Sequence, residues 1–196
     1  MVIAAVHSDQ NQKTDPEIED LFLTLPKTLE EYLANPIDKT EWVNDQIAEK
    51  SGQTLMHAKI QTRLLIRWSD YVETQQLGGM VLVEAPCQTR GRVRRPDVAY
   101  LSPDLIERFR DDVAILSQSH PLIGEIISPT DFGEDIFLKS QEYLGSGALE
   151  VWLVFPKSKH IFIQTQEQNL WLTEKETAKT QLVLPGFEIE VAELLS

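Results

Sequence analysis

Pro121-Leu122-Ile123-Gly124-Glu125-Ile126-Ile127-Ser128-Pro129 is an apolar run holding a single acid and closed by a proline at each end. It is too short for a typical helix, and two prolines bound it, so it reads as a buried strand. Gly124 beside the acid suggests a close approach of another backbone or side chain. A carboxylate inside a buried strand is costly unless it is paired or binds a cation. Glu125 therefore directs the search for a site.

Working outward, Asp131 to Leu144 predicts a helix with Asp131 and Glu134 as a capping pair and Gly145 and Gly147 as its stop. Glu150 to Phe155 is a further strand, His160–Gln164 and Leu170–Thr173 a hairpin, and Leu184–Leu195 a strand with a helical turn. On the other side, Val81–Val83 and Val93–Leu101 flank Gly91 and suggest an antiparallel pair, followed by a short helix over Pro103–Arg110. Ile60, Leu64, Trp68 and Val72 recur at helical spacing, predicting a helix from Thr54 to about Gln76 that Gly78-Gly79 ends. Residues 41–50 and 80–88 are extended in character. Thr28-Leu29-Glu30-Glu31 is a capping-box pattern that opens a short helix ending at Pro36. Residues 1–25 read as a polar tail, and 26–196 as one domain. This alternation of strands and helices gives an α/β (α+β) class, a mixed sheet with helices on its faces.

The chain has 196 residues, 42% hydrophobic and 25% charged, as in ordinary globular domains. No apolar run approaches the length of a membrane span, and the start lacks the basic residue and long apolar core of a secretory signal. Cys87 is the lone cysteine, so an internal disulfide and a cysteine-rich metal site are excluded. A cytoplasmic protein without membrane partners is expected. The net charge of −13 argues against a basic nucleic-acid coat protein. It is compatible with a nuclease, which needs acids for metal and only a local basic patch, here Arg90, Arg92, Arg94 and Arg95.

No phosphate-binding glycine loop, HExxH helix, GxSxG elbow or CxxC pair is present. The positive signal is a second strand acid, Asp97 in Arg95-Pro96-Asp97-Val98-Ala99-Tyr100. Two acids on neighbouring strands would form a hard oxygen site for Mg²⁺ or Mn²⁺. Ordinary alternatives stand beside each residue. Asp97 could bond backbone near Pro96. Glu125 could pair with Arg95. Lys139 could stabilise charge on phosphate, or pair with Asp135 at i, i+4 on the surface. His57 at its helix start could touch phosphate or an acid, or simply be exposed.

Taken together, Arg95-Pro96-Asp97-Val98-Ala99-Tyr100, Glu125-Ile126-Ile127-Ser128-Pro129-Thr130-Asp131, Lys139-x-x-x-Tyr143-Leu144 and Gly147-x-x-Glu150-Val151-Trp152 resemble the Uma-two family of putative restriction endonucleases, of the PD-(D/E)XK nuclease superfamily. Glu41-Trp42-Val43, the helix opening at His57 and Leu184-Pro185-Gly186-Phe187 extend the resemblance over about residues 28–195. It implies a restriction-endonuclease-like fold, a central mixed β-sheet flanked by α-helices, acting on DNA. Asp97 then stands as the acid of the PD motif and Glu125 as the second acid, both holding Mg²⁺ or Mn²⁺. Ile127 occupies the usual lysine position, and the resemblance displaces that role to Lys139. Glu41 matches a recurrent acid that completes the site. Arg92, Arg94, Arg95 and His57 are candidate phosphate contacts, with Arg94 and Arg95 on opposite strand faces. The family's frequent Asp-Gly turn is replaced by Asp45-Gln46, and Phe155 stands where an acid often precedes the proline. A homodimer follows by analogy with nucleases that cut both strands. The readings that compete are a non-catalytic interaction protein retaining the nuclease fold and a hydrolase of another phosphate ester.

Overall fold

The computed structural model describes residues 25–50, 54–109, 113–129 and 131–196. The polar tail, up to residue 24, lies outside these described residues. Helix α1 (Leu29–Ala34) precedes a hairpin of β1 (Thr40–Val43) and β2 (Gln46–Glu49), then the long helix α2 (Leu55–Thr74). Next come β3 (Met80–Val83), β4 (Cys87–Thr89), β5 (Arg92–Arg94), β6 (Val98–Leu101) and α3 (Pro103–Arg108). The chain continues through β7 (Leu122–Ile126), α4 (Gly133–Leu144), β8 (Glu150–Phe155), β9 (His160–Gln164) and β10 (Asn169–Thr173). It ends with β11 (Thr177–Lys179), β12 (Glu188–Glu190) and α5 (Val191–Leu195).

The helix starts follow local chemistry. Thr28 Oγ1 accepts from the Glu31 amide, and Glu31 reaches back to the Lys27 amide at 2.7 Å, a capping exchange displaced by one residue. Thr54 caps α2 through the His57 amide. Helix α4 departs from expectation. It begins at Gly133, Phe132 caps it without a side-chain bond, and Asp131 Oδ2 instead accepts from the Ser128 amide at 2.7 Å. The expected Asp131–Glu134 capping pair does not form, because Asp131 is spent closing the turn that leaves β7. In the β1–β2 turn, Asn44 and Asp45 both take left-handed φ values, 52° and 57°, so the hairpin keeps a two-residue turn without a glycine.

Six strands form one sheet in the order β10-β9-β8-β7-β6-β3. All its pairs are antiparallel except β7 and β8, which are parallel and joined by α4 as the crossover. A second sheet, β2-β1-β5-β4, is antiparallel throughout, and β11 pairs with β12. The extended stretch 80–88 is thus divided between two sheets. The break comes at Glu84, whose φ of 51° turns the chain before Pro86.

Strand β7 is buried on both faces. Leu122 and Ile126 pack toward the cluster that α2 supplies with Ile60, Leu64, Trp68 and Val72. Ile123 packs toward the cluster holding Ile136, Tyr143 and Leu144 of α4. Trp68 meets Trp152 of β8 edge to face, ring centres 5.8 Å apart. Gly124 makes this approach feasible: a Cβ there would stand 2.7 Å from Leu64 Cδ2 and 3.2 Å from the Trp68 ring. Gly124→Ala is expected to lower unfolding free energy by about 1–2 kcal/mol through overpacking. Urea unfolding measures it, and an unchanged midpoint would show that α2 retreats freely. Among the described residues no helix is long and apolar enough to cross a membrane.

Candidate active site

In the β6–β7 ladder Val98 faces Gly124, so the next step of the same register sets Asp97 against Glu125. Pro96 has no amide proton, and the ladder ends here. Beyond the end of the ladder the Ile126 amide is satisfied by the Asp97 side chain: Oδ2 accepts from it at 2.7 Å. Asp97 therefore does bond backbone, but across the strands rather than beside Pro96. Both acids are buried.

Helix α4 brings Lys139 to them. Its Nζ lies 3.0 Å from Glu125 Oε1 and 3.2 Å from Glu41 Oε1. One turn later on the same helix face, the Tyr143 hydroxyl donates to Glu125 Oε1 at 2.6 Å. Lys139 pairs with these strand acids rather than with Asp135, and Glu125 pairs with Lys139 rather than with Arg95. Glu41, on β1, is fixed by the Arg95 amide at 2.8 Å and by Arg94 Nη1 at 3.1 Å. On the opposite side, Lys50 Nζ lies 2.6 Å from Asp97 Oδ1, and His57 Nε2 lies 3.3 Å from Asp97 Oδ2. His57 is buried against Asp97, not exposed at its helix start. Gln61, one turn further along α2, donates to the Asp97 carbonyl at 2.9 Å.

These side chains line a cavity of about 180 Å³ that holds Glu41, Lys50, His57, Asp97, Glu125 and Lys139, with Glu49 and Asp131 at its wall. A larger cleft of about 680 Å³ shares Glu125 and Lys139 and is walled by Arg90, Arg92 and Arg94. Strand alternation puts Arg92 and Arg94 on that wall. Both are engaged by Glu142 of α4: Arg94 Nε and Nη2 donate to it at 2.9 and 3.1 Å, and Arg92 pairs with it as well. Arg92 also donates to Asn44 Oδ1 at 2.6 Å. Arg95 is not brought to this wall. It donates to the Thr40 and Glu84 carbonyls, tying the two sheets together.

Electrostatically the acids divide. Burial alone would raise the Glu41 pKa, but Lys139, Arg94 and the Arg95 amide outweigh it and hold the carboxyl below its ordinary value. Burial acts on Asp97 too and is overcome by the neighbouring His57 ring and the Lys50 charge, so its pKa is lowered. At Glu125 burial wins, and its pKa is raised despite Lys139. Burial disfavours the Lys139 ammonium, yet Glu125 and Glu41 raise its pKa and keep it protonated. Its firm counter-ion is Glu41, and Glu125 is the carboxylate that gives way when a proton arrives. Burial, with the charges of Glu125 and Glu41, pushes the Tyr143 hydroxyl well up, so it remains a donor.

Among the described residues no group of three or more His, Cys, Asp and Glu side chains forms a ready-made metal cage. Two features nevertheless suit a hard cation. Asp97 and Glu125 present carboxylate oxygens to one small cavity, and Asp97 Oδ1 is buried, receives no hydrogen bond of good geometry and has the Lys50 ammonium 2.6 Å away. Mg²⁺ takes few protein carboxylates and keeps its remaining positions for water and phosphate, so this pair fits it.

The sequence assigns no role to Lys50, Gln61 and Glu142, and Tyr143 enters it only as a motif residue. Tyr143 carried a signal, its i, i+4 spacing from Lys139. Lys50 carried none, since a lysine after a hairpin strand looks like any surface lysine.

The chain matches the Uma2 family model, described as "Putative restriction endonuclease", over residues 21–192. A solved structure of similar fold is that of a putative nuclease belonging to DUF820 from Anabaena variabilis ATCC 29413. It matches with a TM-score of 0.76 at 19% identity, over 87% of this chain and 98% of that one. At this identity the likeness establishes the shared fold, a central mixed sheet flanked by helices. No curated protein matches the chain.

Proposed function

The chain belongs to the Uma2 family of putative restriction endonucleases, and from that premise we propose that it is a metal-dependent nuclease that hydrolyses DNA phosphodiester bonds. The observation that carries this reading is the placement of Asp97 opposite Glu125, with the partly buried Lys139 ammonium 3.0 Å from Glu125. Asp97 and Glu125 would hold Mg²⁺ or Mn²⁺, which when bound supplies a water of lowered pKa and neutralises charge on the scissile phosphate.

The chain's own groups do the rest. Lys139 stays protonated, so it cannot serve as a base. It donates, orienting the attacking water and stabilising negative charge that develops on phosphate. Glu41 draws the ammonium into place and is itself fixed by Arg94 and the Arg95 amide. Tyr143 pins one oxygen of Glu125, and His57 with the Ile126 amide pins one oxygen of Asp97. Arg92 and Arg94 face the larger cleft, where DNA phosphate would share them with Glu142.

That sharing also favours a second reading, a non-catalytic interaction protein on the nuclease fold. Arg92 and Arg94 are already neutralised by Glu142 and Glu41, and the net charge is −13. Calorimetric titration of Mn²⁺, with and without a DNA duplex, separates the two. The nuclease reading expects saturable binding by the folded wild type that Glu125→Ala abolishes, together with Mn²⁺-dependent plasmid cleavage lost in the same variant. A folded wild type that takes no Mn²⁺ either alone or with DNA would leave the interaction protein.

A further inference from the structure

We propose that Lys50 is a built-in counter-ion that occupies the cation position on Asp97 and must be displaced for a divalent metal to load. The proposal rests on the nuclease reading of the same site and assigns it a control that neither the sequence nor the family points to.

The two oxygens of Asp97 are used differently. Oδ2 is committed to the protein, accepting the Ile126 amide at 2.7 Å and meeting His57 Nε2 at 3.3 Å. Oδ1 is buried, receives no hydrogen bond of good geometry, and has the Lys50 ammonium 2.6 Å away. It is the oxygen left for a cation, and Lys50 sits on it. Lys50 is itself largely withdrawn from solvent and also donates to the Arg95 carbonyl at 2.8 Å.

A Mg²⁺ ion binds carboxylate oxygen at about 2.1 Å. Ammonium and metal cannot both hold one oxygen at such distances without strong mutual repulsion. The two therefore compete. Lys50 has somewhere to remain after release, since the Arg95 carbonyl already holds it and Glu84 Oε1 lies 3.7 Å away. Lys139 differs in this respect. If Glu125 turns to a cation, Lys139 still has Glu41 at 3.2 Å. Linkage makes the competition reciprocal: whatever Lys50 gains on Asp97 is subtracted from metal affinity, and bound metal loosens Lys50. Asp97 thus keeps a counter-ion at every stage, and the site stays closed to weakly held cations.

Mn²⁺ calorimetry on the full chain tests this with Lys50→Met, which keeps stem length and removes charge, and Lys50→Arg, which keeps charge. Lys50→Met should bind Mn²⁺ about tenfold more tightly than wild type, within the usual range of coupling between sites. Lys50→Arg should bind no more tightly than wild type. An unchanged or weaker affinity in Lys50→Met would overturn the proposal and leave Lys50 a support of Asp97. Should Lys50→Met not fold, lysine acylation of the wild type read by mass spectrometry decides: Lys50 should label faster with Mn²⁺ present, and equal labelling overturns the idea. Binding that Glu125→Ala abolishes but Lys50→Met leaves unaltered defeats this inference alone. No binding by wild type or Lys50→Met, either alone or with a DNA duplex, defeats the nuclease reading with it.

Discussion

Lys139→Met is expected to slow DNA cleavage by about 10³-fold, the scale of losing one charge-stabilising donor in an active site, while the protein stays folded and still binds Mn²⁺. The fold should survive because each acid that loses the ammonium keeps another partner. Glu41 retains Arg94 and the Arg95 amide. Glu125 retains the Tyr143 hydroxyl and, with its pKa already raised, can take up a proton in place of the lost charge. The expected stability cost is about 1–3 kcal/mol, that of leaving a buried polar group short of one partner. Mn²⁺ affinity should hold or rise, since the ammonium opposes a second cation at Glu125. Cleavage assays with excess Mn²⁺, beside urea unfolding, separate these effects. Full cleavage by the variant would remove Lys139 from the chemistry even if metal binding were intact.

Lys139 is legible in the sequence only as far as local chemistry reaches. Burial cost made Glu125 conspicuous, because one acid in an apolar run closed by prolines has few inexpensive explanations. Helical spacing made α2 legible, since Ile60, Leu64, Trp68 and Val72 define one buried stripe. The long-range choices were not legible. Lys139 had Asp135 within reach on its own helix. It prefers Glu41 because a separate sheet, β2-β1-β5-β4, carries that acid over the α4 face, and no local pattern encodes such a docking. Asp131 misled for a related reason. Its side chain is as good a partner for the Ser128 amide as for a helix terminus, and the turn after Pro129 decides between them. Only the second half of the ribbon β11–β12 is legible in the sequence, because Thr177–Lys179 has one buried residue between two exposed ones and too few positions to show a period. Lys50 is the extreme case. Nothing near it in sequence distinguishes it, and its significance is entirely the placement of its ammonium on Asp97.

Glu150→Leu is expected to be the most destabilising single change discussed for this chain, about 3–5 kcal/mol, with the chemistry untouched in the molecules that remain folded. Glu150 is an acid with no solvent exposure, at the start of β8. Its carboxylate accepts the Trp152 indole N–H at 2.6 Å and the Gln181 and Leu182 amides at 2.7 and 2.9 Å. It therefore anchors a loop to the central sheet and satisfies a tryptophan that packs on Trp68. Leucine fills comparable space but leaves all three donors without an acceptor, and each orphaned donor costs roughly 1–3 kcal/mol before relaxation. Glu150→Gln should lose less, because its amide oxygen still accepts while its NH₂ confronts one of the N–H groups. The site should not feel either change: Glu150 pairs with Leu122 at the beginning of β7, whereas Glu125 lies near the end of that strand. Urea unfolding should accordingly show a large fall in midpoint, while cleavage per folded molecule at low temperature matches wild type. A small shift for Glu150→Leu would mean that the Gln181–Leu182 segment turns its amides to water. A loss of cleavage in fully folded protein would mean that β7 transmits the position of its first residue to Glu125, and that the strand is a rigid lever rather than a passive support.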